Sequence, residues 1–286
     1  MKIKKAVIPA PGLGTRLLPT TKELPKEMMP VFTKSKNGNL ILKPHLQLVF
    51  ENLFNAGIRE FCFIVGRGKR AIEDHFTPDY NYLEELRKRG KEQLVMEIEE
   101  FYRKIEKSVI IWVNQPKPLG FGDAVLKASP FIGNDFFIVH AGDTLVLPNE
   151  KARIEYLGRI FAEKGVEAVF LLKEVKDPRA YGVIEPSRIE GDIVEVKRII
   201  EKPLKPPSNL AVIPIYIFDS IIFKILRRTK PGKRGEVELT DAIQKMIEWG
   251  LKVYALKPSE DQFWIDIGTP EMYWRALKIS YKLVRG

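Results

Sequence analysis

Two glycines stand two positions apart in Pro11-Gly12-Leu13-Gly14-Thr15-Arg16, directly after an apolar run at 6–8, and Lys26-Glu27 follow in the same extended stretch. Closely spaced glycines let backbone N–H groups approach an anion without a Cβ in the way. Arg16 and Lys26 bring two cations to the same mouth. That combination suits a polyphosphate, and α/β proteins hold ligands at the carboxyl ends of their strands. Two other glycine loops are excluded. A dinucleotide fingerprint needs a third glycine at position 17, which is Leu17, and a P-loop needs Gly-Lys-Ser/Thr where the chain reads Thr15-Arg16-Leu17. A bare Gly-x-Gly also fits an ordinary turn. The added Arg16 and Lys26-Glu27 favour phosphate.

Asp143, in His140-Ala141-Gly142-Asp143, follows an apolar strand at 136–139. A carboxylate in that position can hold a hard cation such as Mg²⁺, or simply cap a turn. Asp266, in Trp264-Ile265-Asp266-Ile267-Gly268, repeats the arrangement, so the two could share one metal. Gln115 with Leu119-Gly120-Phe121-Gly122 follows another strand. Its amide could read the edge of a flat base that the glycines admit, or the segment could be a plain strand-to-helix connection. Glu201-Lys202-Pro203 ends a strand, and Lys202 offers a point charge for a phosphate. His45, His75 and His140 lack metal-ligand spacing and read as solvated or core-edge residues.

The elements that must position these groups follow an α/β rhythm. Short apolar runs at 61–65, 110–113, 136–139 and 169–172 alternate with helical periodicity, which predicts a Rossmann-like, mixed, mostly parallel sheet flanked by helices. Pro44 suits a helix start and Gly57 its end. Residues 78–108 interrupt the rhythm: Leu94, Ile98, Phe101 and Ile105 recur at helical spacing, so this segment reads as an inserted amphipathic helix within a single domain over 1–286. The pattern turns to β hairpins over about 175–217, with Glu190-Gly191-Asp192 as a turn. Thr240-Asp241 and Thr269-Pro270-Glu271 start two late helices.

Among 286 residues the single cysteine, Cys62, lies in an apolar run and reads as a buried, reduced thiol. No apolar run approaches the roughly 20 residues that span a bilayer. The start, Met1-Lys2-Ile3-Lys4-Lys5, lacks a signal-peptide apolar region. These features lead us to expect a cytoplasmic location and no membrane partner. The net charge of +10 is spread among interspersed acids, as in Glu84-Glu85-Leu86-Arg87-Lys88-Arg89. Such an ion-pair-rich surface is a thermophilic trait. It favours small polyanions over nucleic acid, for which there is no motif.

Taken in order, these motifs resemble the sugar-1-phosphate nucleotidyltransferases, and within them the prokaryotic-type UTP–glucose-1-phosphate uridylyltransferases. The resemblance is carried by Gly12-Leu13-Gly14-Thr15-Arg16-Leu17-Leu18-Pro19, Pro25-Lys26-Glu27-Met28-Met29-Pro30, and Gln115 with Leu119-Gly120-Phe121-Gly122. Tyr181-Gly182-Val183, Glu201-Lys202-Pro203 and Glu238-Leu239-Thr240-Asp241-Ala242-Ile243 continue it. The 78–108 segment resembles the uridylyltransferase insert.

The resemblance implies transfer of a uridylyl group from UTP to glucose 1-phosphate, with Mg²⁺ as cofactor and a homodimer or homotetramer as assembly. It would place Gly12 and Glu27 on the base, with Pro11, Gly14 and Thr15 in the same loop. Arg16 and Lys26 would meet the triphosphate, and Gln115 and Gly120 would select uracil. Gly182 and Glu201 would hold the sugar, Lys202 its phosphate, and Asp143 and Asp266 the metal. Three departures bear on specificity. Pro11 stands where alanine is usual, and His140-Ala141-Gly142-Asp143 and Trp264-Ile265-Asp266-Ile267-Gly268-Thr269 look more like thymidylyltransferases. The same reaction with dTTP or another sugar phosphate, or a non-catalytic regulatory relative, are the alternatives. Retention of Arg16, Lys26, Asp143, Lys202 and Asp266 argues against the last. The end at Gly286, without a hexapeptide-repeat tail, leads us to expect one activity.

Overall fold

The computed structural model describes residues 3–232, 235–257, 259 and 261–285. Met1, Lys2 and Gly286 lie outside them. The first third contains β1 (Lys5–Ala10), the hairpin β2 (Pro30–Lys34) and β3 (Leu40–Pro44), α1 (His45–Asn55) and β4 (Glu60–Val65). Next come α2 (Arg70–His75), α3 (Tyr80–Lys88), α4 (Glu92–Glu106) and β5 (Val109–Asn114). The middle adds α5 (Phe121–Lys127), α6 (Ser129–Ile132), β6 (Phe137–His140), β7 (Thr144–Leu147), α7 (Glu150–Lys164) and β8 (Ala168–Glu174). The last third holds β9 (Gly182–Glu190), β10 (Ile193–Glu201), β11 (Leu210–Phe218), α8 (Ile221–Leu226) and α9 (Leu239–Glu248). It ends with β12 (Val253–Leu256), β13 (Phe263–Asp266) and α10 (Pro270–Arg285).

Nine strands form one mixed sheet in the order β5-β4-β1-β6-β11-β8-β12-β10-β9. The β5-β4-β1-β6 half is parallel, so the carboxyl ends of β1, β4, β5 and β6 point the same way. Strand periodicity explains why these runs are apolar throughout. Ala6 and Ile8 face one core cluster and Val7 the other; Phe61 and Phe63 pair off against Cys62 and Ile64 in the same way. Cys62 is unpaired and fully buried, and burial pushes its thiol up to about 12. It is an inert core thiol.

The inserted segment contains two helices, α3 and α4, rather than one. Phe101 and Ile105 are buried as their spacing predicts, but Leu94 is 51% exposed and Val95 is buried instead. The reason is tertiary. In the first turn of α4 the neighbour is α3, whose buried Leu83 belongs to the same core cluster as Val95. That contact rotates the apolar stripe away from Leu94. The insert docks on α1 through Phe50, whose ring lies 4.7 Å from Phe61, 5.2 Å from Phe76 and 6.0 Å from Phe101, centre to centre. The Gly191 turn between β9 and β10 has φ 63. α9 begins at Leu239, one residue before the expected start, and Thr269 caps α10 by accepting from the Met272 N–H at 3.3 Å.

A separate two-stranded ladder, β7–β13, decides where the aspartates go. It pairs Thr144 with Asp266, and the Ile267 N–H donates to the Asp143 carbonyl at 3.2 Å.

Phe50→Ala is expected to lower the unfolding free energy by about 3–5 kcal/mol, because it empties the aromatic joint between α1 and the insert. Leu94→Ala should change it by less than about 0.5 kcal/mol. Urea denaturation of both variants measures the contrast; equal losses would contradict the observed rotation of α4.

Candidate active site

Two cavities open at the carboxyl end of the parallel strands. The larger, about 500 Å³, is lined by Arg16, Lys26, Asp143, Gly182, Glu201, Lys202 and Asp266 among others. The smaller, about 220 Å³, is lined by Pro11, Gly12, Lys26, Glu27, Gln115, Gly120 and Asp143. Lys26 and Asp143 border both, so the two halves meet at this pair. Of the residues to which the resemblance gives a place in the site, only Gly14 and Thr15 line neither. Gly14 instead turns the loop at φ 68 and is fastened by Thr21, whose hydroxyl donates to its carbonyl at 2.8 Å.

The centre is a chain of buried charges. The Lys26 ammonium donates to Asp143 Oδ2. Burial would push the Lys26 ammonium down, but Asp143, Glu27 and Asp266 together outweigh it and hold its pKa above the ordinary lysine value. Burial alone would raise the Asp143 carboxyl, yet Lys26 keeps it below the usual range. Asp266 has less help: burial and the Asp143 charge push its carboxyl up to about 7, against weaker pulls from Lys26 and Arg16. Glu27, only 1% exposed, is raised by burial, although Lys69 reaches it at 2.7 Å.

The donor set of Asp143 and Asp266 suits a hard divalent cation. Two carboxylates crowded enough to oppose each other's ionisation gain by sharing a positive ion. Among the described residues no cluster of three or more His, Cys, Asp or Glu forms a complete cage. Two carboxylates can suffice for a hard cation that takes the rest of its shell from substrate phosphates and water.

On the smaller cavity, Gly120 has φ 107 and a Cβ there would lie 2.7 Å from the Val237 carbonyl, so only glycine fits. Gln115 is buried, and its amide N–H₂ donates to Gly120 O at 3.2 Å and Asp123 Oδ2 at 2.7 Å. Those bonds fix the orientation of the amide. Glu27 lines the wall, but its carboxylate is engaged by Lys69. On the larger cavity, the Thr240 hydroxyl donates to Glu201 Oε2 at 3.0 Å, and Lys202 Nζ lies 3.3 Å from Glu201 Oε1. Lys202 itself has φ 41, a conformation that costs a non-glycine residue about 1 kcal/mol or more.

Sequence reasoning missed several supports. Lys69, buried beside Glu27, sits in Arg67-Gly68-Lys69-Arg70 and gives no local sign of burial. Two of the histidines are not solvated or at the core edge: His45 and His140 are fully buried. The packing of α1 and α7 over β6 and β7 encloses them. His45 Nδ1 contacts the Gly142 carbonyl at 3.3 Å, and burial pushes its pKa down to about 4, so the ring is neutral. His140 Nε2 meets Glu150 Oε1 at 3.2 Å. Glu150 also accepts from Asn52 at 3.0 Å and from the Val146 N–H, clamping both flanks of Asp143. His75 does lie at the core edge, against Gln47.

A glycine loop with two cations, paired carboxylates and a base-sized side cavity have the chemistry to take a nucleotide's phosphates and a second polar substrate. The chain belongs to the nucleotidyl transferase family, whose model matches residues 5–282. It is 38% identical over 271 residues to a UTP–glucose-1-phosphate uridylyltransferase of Staphylococcus haemolyticus, covering 93% of this chain and 88% of that one. A UDP-glucose pyrophosphorylase solved with UDP-glucose superposes with TM-score 0.83 at 33% identity, over 98% of this chain and 99% of that chain. A UTP-bound UGPase from Acinetobacter baumannii gives 0.84 at 29%, over 97% and 93%.

The Asp266 shift has a thermodynamic consequence. With a native pKa near 7 and an unfolded value near 4, the folded protein binds the extra proton between those limits. Stability from this group is therefore complete below about pH 4 and is lost as pH rises through 7. Asp266→Asn should raise the melting temperature of metal-free protein at pH 8 and raise it only about a third as much at pH 5, as read by differential scanning fluorimetry. No gain at pH 8 would refute the crowding of the two carboxylates.

Proposed function

We propose that this chain is a UTP–glucose-1-phosphate uridylyltransferase, converting UTP and glucose 1-phosphate to UDP-glucose and pyrophosphate. The observation that carries the reading is the meeting of the two cavities at Lys26 and Asp143: one has the size and glycine walls for a base, the other holds Glu201 and Lys202 for a sugar phosphate. The names of its relatives support the same reaction. Tyr181, Gly182 and Glu201 face the sugar, Lys202 its phosphate, and Gln115 and Gly120 the uracil, above a floor made by the Glu27–Lys69 pair.

The sugar-phosphate oxygen forms a bond to the α-phosphorus as the bridging bond to the β-phosphate breaks, and pyrophosphate leaves with the electron pair. No general base is required, because a phosphate monoester with a second pKa of about 6 is already mostly ionised. The obstacle is bringing two anions together, which cations and positioning address. Arg16 and Lys26 hold the triphosphate, and Lys202 draws in the attacking phosphate. Asp143 and Asp266 would hold Mg²⁺, which supplies charge neutralisation between the phosphates when bound.

The same reading takes the chain as one nucleotidyltransferase domain, with an insert at about 78–108 and a sugar-binding β region at about 175–217. It also takes the enzyme as cytoplasmic and heat-adapted, working as a homodimer or homotetramer. Among the described residues no helix is long and apolar enough to cross a membrane. Pro11 beside the base-facing Gly12, and Gly142-Asp143, favour dTTP as the second nucleotide to test.

Purified protein with Mg²⁺ is expected to release pyrophosphate fastest from UTP plus glucose 1-phosphate in a matrix of nucleotides against sugar phosphates. Asp143→Ala should cost at least ~100-fold in kcat. Lys202→Ala should raise KM for the sugar phosphate more than for UTP. Turnover with no pair would sink the assignment.

A further inference from the structure

A third cavity, of about 430 Å³, lies against the larger of the two in the site, and Tyr181, Trp264, Asp266 and Met272 line both. The Tyr181 and Trp264 rings meet at 5.1 Å and form much of the partition. Beyond it the walls carry Lys173, Lys176 and Arg275. None of these three cations makes an ion pair among the described residues, although salt bridges are common over the rest of the surface. The carboxylates nearby are engaged elsewhere: Asp177 pairs with Arg179 at 2.7 Å and Glu174 with Lys257 at 3.7 Å. Lys173 spends one donor on the Gln262 carbonyl at 3.2 Å. Its pKa is lowered by burial and by the like charge of Arg275, against a weaker pull from the neighbouring Glu174.

This cavity joins the phosphate end of the site. Arg16 Nη2, Asp266 Oδ2 and Met272 Sδ each lie 3.3 Å from where a Cβ on Gly268 would stand. The guanidinium that meets the triphosphate is thus one short step from the shared wall, and the absence of a side chain at Gly268 keeps that corner clear.

We propose that the Lys173–Lys176–Arg275 cavity is a second anion site that takes a polyphosphate. Such an anion has two sources, the pyrophosphate released beside Arg16 and the phosphate tail of a second nucleotide. The inference rests on the phosphate reading of the first cavity. Glu174, Asp177 and Asp266 line the same cavity, but the first two pair with Lys257 and Arg179 and the third belongs to the Lys26–Asp143 cluster, so Lys173, Lys176 and Arg275 are left for a polyphosphate to meet, and the exposed Arg275 leaves the cavity open to solvent.

Calorimetric titration tests it, with EDTA present so that nothing turns over. UTP is titrated first, then inorganic pyrophosphate into the UTP-filled protein, for wild type and for Lys173→Ala/Arg275→Ala. The expected result is one UTP per chain, then pyrophosphate binding that the double variant weakens at least tenfold while the Kd for UTP moves less than twofold. Two UTP per chain, the second lost in the variant, would assign the same site to a nucleotide. No added binding of either anion, or equal binding to the variant, overturns the site. If UTP itself fails to bind, pyrophosphate titrated into the free protein and the variant makes the same comparison. Binding is read without turnover, so a protein that binds pyrophosphate here yet transfers no uridylyl group would refute the proposed function and leave this site standing.

Discussion

The contact between Lys26 and Asp143 is the constraint on which the rest of the site depends. Charges buried at this depth are tolerable only when paired, since the desolvation penalty is several kcal/mol per ion. Lys26 answers Asp143, and Lys69 answers Glu27. Asp266 is the third carboxylate in the group, so the set of Lys26 and Lys69 against Glu27, Asp143 and Asp266 is one positive charge short. The protein has two ways to close that gap. Asp266 can keep a proton up to about pH 7, or a cation can take the proton's place. A site with this deficit therefore prefers to be occupied, and ionic partners need no further residue to attract them.

Bringing these charges together is the work of strand pairing. Lys26 follows the loop that leaves β1; Asp143 sits between β6 and β7; Asp266 ends β13. The parallel β1–β6 pair puts the first two at one sheet end, and the β7–β13 ladder delivers the third by pairing it opposite Thr144. Gly142 permits the convergence, because a Cβ there would stand 3.3 Å from the Ala10 methyl and 3.4 Å from Glu27 Cγ. The insert contributes at a distance, since α4 braces α1 through Phe101 and Phe50, and α1 carries His45 and Asn52 toward the Asp143 turn.

What could be read from the sequence was whatever is encoded locally. Gly12, Asp143 and Asp266 follow apolar runs, and a strand's end is where chemistry is placed; Arg16 and Lys26 stand out as cations in the stretch that continues the first loop. The alternation of buried runs with helical stretches likewise gave the α/β architecture. Residues whose role comes from packing were not readable. Lys69 resembles its exposed neighbours Arg67 and Arg70, and only the fold shows that it descends onto Glu27. Glu150 carries no local sign of its partners, and His140 reads as a solvated or core-edge residue. Leu94 and Val95 differ by one position on one helix, and the choice between them belongs to α3, which no periodicity within α4 can report.

The finished site is divided into a rigid half and an open half, and the division has a physical logic. Asp143 is held by bonds on every side: Lys26 on its carboxylate, Ile267 on its carbonyl, His45 on the preceding carbonyl, and Glu150 across both flanks through His140 and Val146. In the proposed function Asp143 orders a metal and two phosphates, and a carboxylate in that role gains from having no alternative position, because any freedom would have to be frozen at the moment of reaction. Arg16 and Lys202 are solvent-exposed, on a short turn and a strained strand end. Exposure leaves their charges hydrated and cheap to maintain before substrate arrives, and long side chains there can follow phosphates inward. Burying these two as deeply as Lys26 would demand two more carboxylate partners, and those carboxylates would repel the very anions the site must accept.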